Sequence, residues 1–139
     1  MAHTDDFDVF EFSQWPLVQV TLRRAPYDDA EIAAFQERFC GLLHLAAHGT
    51  QDRPPCPIQL IMALDGIVDA TGSQQLRAAT FIQDVKPLVL AGALRATALV
   101  VTSAGARSML ELILSIAPLT SVHAVFDCVQ EGLEWLSTV

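Results

Sequence analysis

Pro57-Ile58-Gln59-Leu60-Ile61-Met62-Ala63-Leu64-Asp65-Gly66 is the stretch whose reading decides the fold. From Ile58 to Leu64 it is apolar apart from Gln59. A run of this kind is buried on both faces, as in the middle strand of a sheet covered by helices. It ends at Asp65-Gly66, and a short polar loop with Asp69, Thr71, Gly72 and Ser73 leads into a helical pattern. Open α/β sheets collect functional groups in loops at the carboxyl ends of central strands. The loop from Asp65 to Ser73 is therefore the first candidate site.

Toward the N-terminus, Val9-Phe10-Glu11-Phe12 and Leu17-Val18-Gln19-Val20-Thr21-Leu22 alternate apolar and polar residues, the pattern of half-buried strands. The short Gln14-Trp15-Pro16 connection predicts an antiparallel hairpin. Trp15 is read as packing over the end of the core, with an exposed anchor as the alternative. Residues 1–8 read as a flexible acidic lead-in. Pro26-Tyr27-Asp28-Asp29-Ala30-Glu31 starts a helix, with Asp28 and Glu31 spaced as a capping box. Ile32, Phe35, Phe39, Leu42, Leu43 and Ala46 then share one face, and Gly49 is a natural stop. The loop 50–57, with Pro54, Pro55 and Pro57, is irregular.

On the other side, a helix starts near Ser73 with Ala78, Phe81, Ile82 and Val85 as its apolar face. Pro87 ends or kinks it, and a short apolar turn continues to Leu94. The run 96–102 is a second buried strand. Ser103-Ala104-Gly105 opens a helix to about Ile116, with Arg107, Ser108, Glu111 and Ser115 on its polar side. Pro118 stops it. Val122 to Phe126 form a last strand. Asp127, with Gln130 three residues on, caps a final helix whose inward stripe is Val129, Leu133 and Leu136. The order is β-β-α-β-α-β-α-β-α, which predicts one α/β domain over 9–139. Its mixed, mainly parallel sheet has about five strands, right-handed crossovers and about four helices.

The bulk composition limits the function classes. The chain has 139 residues, 52% of them hydrophobic, enough for one self-sufficient core. A formal charge of −8 disfavours nucleic acid and anionic membranes and leaves a protein partner as the expectation. No apolar run nears the roughly 18 residues of a transmembrane segment. The first residues lack the basic and apolar regions of a secretory signal, so a cytoplasmic location is expected. The three cysteines, Cys40, Cys56 and Cys128, form no Cys-x-x-Cys pair and are read as ordinary thiols, with a regulatory disulfide as the alternative.

Catalytic constellations are weak. Cys40, His44 and His48 repeat at helical spacing, but eight residues of helix rise about 12 Å, too far for one metal ion to bridge. No metal and no cofactor are expected. No Gly-x-Ser-x-Gly elbow is present. Asp65 and Asp69 resemble a carboxylate pair of the kind glycoside chemistry uses, against the simpler reading of solvated loop carboxylates. The chain therefore reads as non-enzymatic. Thr71 with Gln74 fits a capping box, and the same hydroxyl at a helix N-terminus suits a phosphate. The helix around Leu110, Ile113, Leu114 and Ile116 is apolar round much of its circumference. With Phe81, the residues Leu110, Ile113 and Leu114 are candidates for lining an apolar pocket.

The element order resembles the STAS domain, the fold of anti-sigma-factor antagonists, and its C-terminal half is similar to SpoIIAA-like small proteins. The latter end in a helix of pattern Glu-Ala-Leu-x-Trp-Leu, here Glu131-Gly132-Leu133-Glu134-Trp135-Leu136 with glycine for alanine. Asp65 at a strand end and Val100-Val101-Thr102 before a helix also match. The antagonist resemblance implies a regulatory interaction module with a phospho-switch at Asp69-Ala70-Thr71-Gly72. There Ala70 replaces a hydroxyl, and the gap back to Asp65 is shorter. It makes Asp65, Asp69, Thr71, Ser73, Ser103 and Arg107 the candidate partner surface. The SpoIIAA-like resemblance implies instead a carrier or sensor of a small apolar ligand or lipid. Trp135, off the inward stripe, is an interface candidate for a homodimer, against folding over its own sheet. The hairpin's edge strand, with Gln19 and Thr21 facing out, is a second such surface.

Overall fold

The computed structural model of the protein describes residues 8–23 and 28–139. The strands are β1 Asp8–Gln14, β2 Leu17–Leu22, β3 Ile58–Ala63, β4 Leu94–Val100 and β5 His123–Phe126. The helices are α1 Asp29–His48, α2 Gly72–Asp84, the five-residue α3 Lys86–Leu90, α4 Ala104–Ile116 and α5 Val129–Leu136. A 3-10 turn, Asp65–Asp69, follows β3. One five-stranded sheet runs in the order β1-β2-β3-β4-β5, antiparallel between β1 and β2 and parallel thereafter. The architecture is thus a mixed, mainly parallel α/β domain, and the apolar run that begins at Ile58 is its middle strand.

Each parallel strand lies beside its predecessor, and right-handed crossovers in one direction deliver every connecting helix to the same face. The main core has that composition. Val18, Val20, Leu60 and Leu99 from the sheet cluster with Phe35 and Phe39 of α1 and Leu110 of α4, and half-buried Phe81 of α2 packs against them. The helix that follows β5 lies on the reverse face, where Leu136 of α5 clusters with Ile61, Ala96, Ala98 and Val100. Alternate residues of β3 and β4 therefore feed two cores, as the period of two requires. That is why the run from Ile58 has little polar relief.

Local chemistry sets the helix ends. Glu31 N donates to Asp28 Oδ1 at 2.9 Å and Asp28 N to Glu31 Oε1 at 3.1 Å, closing the expected capping box. Gly49 ends α1 at φ 68°, a region that favours glycine. The six-residue face of α1 is buried as the spacing predicts. Pro26 and Tyr27, and residues 1–7 of the lead-in, lie outside the described residues.

Four details of the sequence reading are corrected. Asp8 is the first residue of β1, not part of a lead-in: its carboxylate is 3% exposed and paired with the Arg38 guanidinium. Gln19 and Thr21 lie on β2, an interior strand; the edge is β1. The N-cap of α5 is Cys128 without a side-chain cap hydrogen bond, while Asp127 pairs with Arg107. The inward face of α5 is Gly132 and Leu136, with Leu133 and Trp135 packed beside them and Val129 40% exposed.

Gly132 sets how closely α5 approaches the sheet. A Cβ there would sit 2.9 Å from Ile61 Cδ1 and 3.3 Å from Ala98 Cβ. Small side chains on β4 and the absent one on α5 let helix and sheet meet without a spacer. Gln59 Nε2 then donates to Leu136 O at 2.8 Å, satisfying a carbonyl in the last turn of the helix. Gly132→Ala is expected near neutral, because a helix-propensity gain of about 1 kcal/mol offsets the crowding. Gly132→Val should lower the unfolding free energy by about 1–3 kcal/mol in urea titrations. An unchanged midpoint for Gly132→Val would mean that α5 does not bear on the sheet through this residue.

Candidate functional site

The polar loop after β3 is built as a brace. Asp65 Oδ1 accepts from Thr102 N at 2.7 Å and Ser103 N at 3.3 Å, and Asp65 Oδ2 accepts from Thr102 Oγ1 at 2.6 Å. One carboxylate thus ties the end of β3 to the β4–α4 junction, and its negative charge lies where the α4 dipole favours an anion. Ser103 caps α4 by accepting from Ala106 N at 3.1 Å. Gly66 allows the turn to close, since a Cβ would lie 2.4 Å from Arg23 O and 2.6 Å from Leu22 O. Asp69 ends the turn half-buried.

Thr71 fulfils the bland part of its expectation. Its Oγ1 accepts from Gln74 N at 3.2 Å, and Gln74 Oε1 accepts from Thr71 N at 3.0 Å, completing the capping box of α2. Ser73 Oγ lies 3.2 Å from Thr71 Oγ1, and both residues are exposed. Arg107 turns away to Asp127 with Nη2 to Oδ1 at 2.6 Å, a surface pair worth about 0–1 kcal/mol. The loop set therefore divides into a brace (Asp65, Ser103), the end of the 3-10 turn (Asp69), a helix cap (Thr71) with Ser73 beside it, and a surface ion pair (Arg107).

The other sequence candidates fall differently. His44 and His48 are exposed with ring centroids 5.8 Å apart, and half-buried Cys40 packs against the core. Among the described residues no group of three or more His, Cys, Asp or Glu could hold a metal ion. The three cysteines are free thiols. Trp135 is half-buried against Phe126, centroids 5.6 Å apart, and so lies over its own sheet. Trp15 packs against the main core.

Phe81, Leu110, Ile113 and Leu114 converge. All four line one cavity of about 280 Å³ between the sheet and the helices α1 to α4. Ile116, on the same apolar helix, points outward and is 47% exposed. The cavity follows from where α2 packs. Its one fully buried residue, Ala79, clusters with Ile113 and Ala117 of α4 and the residue after it, so α2 rests on α4. Half-buried Phe81 and Ile82 then roof a space that no side chain fills. Phe39 meets Phe35 at 5.7 Å and 70°, and Phe81 at 5.7 Å and 90°, making an aromatic wall of edges and faces. The rim includes Lys86 at the start of α3 and Thr120 and Ser121 before β5.

Sequence reasoning placed Thr97 in a buried strand and gave it no role. Thr97 lines this cavity, is 3% exposed, and its Oγ1 has no hydrogen-bond partner among the described residues. The available signal was its place in Ala96-Thr97-Ala98-Leu99-Val100-Val101, a hydroxyl at an alternate position of an otherwise apolar strand.

Comparison with family models, with curated proteins and with solved structures returned no match. No helix among the described residues is long and apolar enough to cross a membrane.

Asp65→Ala removes the acceptor of three hydrogen bonds, two of them under 2.8 Å, and should cost about 1.5–3 kcal/mol in chemical denaturation. A change within about 0.5 kcal/mol, the range of an ordinary surface substitution, would return Asp65 to the set of residues available for a partner.

Proposed function

We propose that this protein binds a small, mainly apolar molecule in the cavity between its sheet and α1 to α4, and acts as its carrier or sensor without transforming it. The cavity itself carries the reading. At about 280 Å³ it is roughly twice the ~150 Å³ that holds a benzene, and near the lower end of ligand pockets at about 300 Å³. A core left with such a volume gives up dispersion contacts over its whole lining, and a ligand of matching shape restores them. Among the described lining residues Lys86 is the one ionised group, and it is exposed at the rim. Binding, rather than acid–base or nucleophilic chemistry, is what such walls supply. The order of elements, Asp65 at the end of β3 and the Glu131–Leu136 helix support placing the chain beside the SpoIIAA-like proteins.

Two measurements test this. Native mass spectrometry of freshly purified protein should show a bound species, or acquire one after incubation with lipid and small apolar compounds. Ala78→Trp, at a half-buried lining position of α2, should keep the fold by circular dichroism and weaken that binding at least tenfold. A clean apo mass under every condition would remove the carrier reading.

A second reading, a cytoplasmic STAS-like regulatory module that captures a protein partner, draws on one observation: the Thr71 and Ser73 hydroxyls are exposed side by side at the start of α2. A phosphate on Thr71 would meet the favourable end of that helix. Under this reading Thr71→Glu folds normally and changes the set of proteins retained from a lysate. Identical sets for wild type, Thr71→Ala and Thr71→Glu would dismiss it.

A further inference from the structure

We infer that the cavity selects a neutral, mainly aromatic molecule of about a dozen non-hydrogen atoms carrying one hydroxyl or carbonyl oxygen, held by the Thr97 hydroxyl. The inference rests on the cavity reading and adds the chemical class of the ligand. Thr97 is anchored in β4, with its backbone N–H donating to Val122 O at 2.9 Å, so its position is fixed by the sheet. Side chains on a strand stand perpendicular to the sheet, which takes Oγ1 away from the ladder carbonyls and toward the helices. Beside it on the same face, Leu60 across the ladder and Leu99 two residues on offer no acceptor in their side chains. His123, its register partner on β5, is exposed with its Nδ1 2.9 Å from Ser121 O and makes no hydrogen bond to Thr97 Oγ1. A hydroxyl buried there without a partner is costly, and native interiors satisfy such groups. Here a group on a bound molecule can do so.

The rest of the lining narrows the class. Phe35, Phe39 and Phe81 present faces and edges to one side of the cavity, which suits a flat ring in stacked or edge-on contact. No carboxylate and no buried cation lines the interior among the described residues, so a fully enclosed charge would be uncompensated. A neutral molecule with a single polar atom matches one buried hydroxyl in an apolar, aromatic chamber.

Naphthalene and 2-naphthol differ by that one atom and fit the size. Calorimetric titration of the full chain should give a ratio of naphthalene to 2-naphthol dissociation constants that falls about fivefold or more in Thr97→Val. Thr97→Ser, which keeps the hydroxyl, should keep the wild-type ratio. Unliganded Thr97→Val should melt at or above the wild-type temperature, because it removes an unpartnered hydroxyl and keeps the shape. Both compounds binding with a ratio unchanged in Thr97→Val would overturn the Thr97 assignment while leaving the cavity reading intact. Binding of neither would overturn the aromatic ligand class and the Thr97 assignment, while the carrier reading would stand or fall on the mass-spectrometric test. Binding of 2-naphthoate tighter than 2-naphthol, lost in Lys86→Gln, would overturn the neutral class and place the ligand's head at the rim.

Discussion

The sequential strand order is the constraint from which the other features of this protein descend. Because β2, β3, β4 and β5 are laid down side by side, the right-handed crossover rule leaves the chain no choice of face for α1 to α4. Four helices share one side of a five-stranded sheet, and α5 must serve the other side with eight residues. The two faces solve opposite problems. On the crowded side α2 cannot reach the sheet along its whole length, rests on α4, and leaves a cavity beneath it. On the sparse side a short helix must hold its place with little area. Gly132 against Ala98 and Ile61, and the Gln59 bond to Leu136 O, bring it close and tie down its end.

The polar residues beyond β3 follow from the same geometry. Where adjacent parallel strands end together, a helix N-terminus and a turn compete for the same space, and their amide donors need acceptors. Asp65 answers for Thr102 and Ser103, Ser103 answers for α4, and Thr71 for α2. A hydroxyl already accepting from its own helix still has a donor hydrogen and a free face, so capping and recognition are not exclusive. For Asp65 both oxygens face the β4–α4 junction, and the balance lies with structure.

How far the sequence was legible depended on whether a residue's role is encoded in spacing or in what lies across from it. The middle strand, the buried face of α1, the capping boxes at Asp28 and Thr71 and the apolar wall of α4 all follow local period and local donors. Each was readable because its physics is contained within a few residues. Asp8 was not, since its partner Arg38 is thirty residues away. Nor was the inward face of α5: a glycine contributes nothing to an apolar stripe, so Val129 stood in for Gly132. Asp127 looked like a cap because its spacing to Gln130 is right, but the helix begins one residue later and Arg107 takes the carboxylate. Ile116 shares the composition of its neighbours, and only the placement of α2 on α4 separates it from Ile113.

Thr97 joins these two kinds of information. Valine would suit its strand position, its size and its burial, and would leave no polar atom behind. The chain instead keeps a hydroxyl there that finds no hydrogen-bond partner among the described residues. An unfilled cavity and an unpartnered hydroxyl are each a local cost to the unliganded fold. They occur at the same place, on the face where four helices share the sheet and α2 rests on α4. Under the proposed reading, one occupant with an aromatic body and a single oxygen would offset both, and the two defects of packing would be the two halves of one binding site.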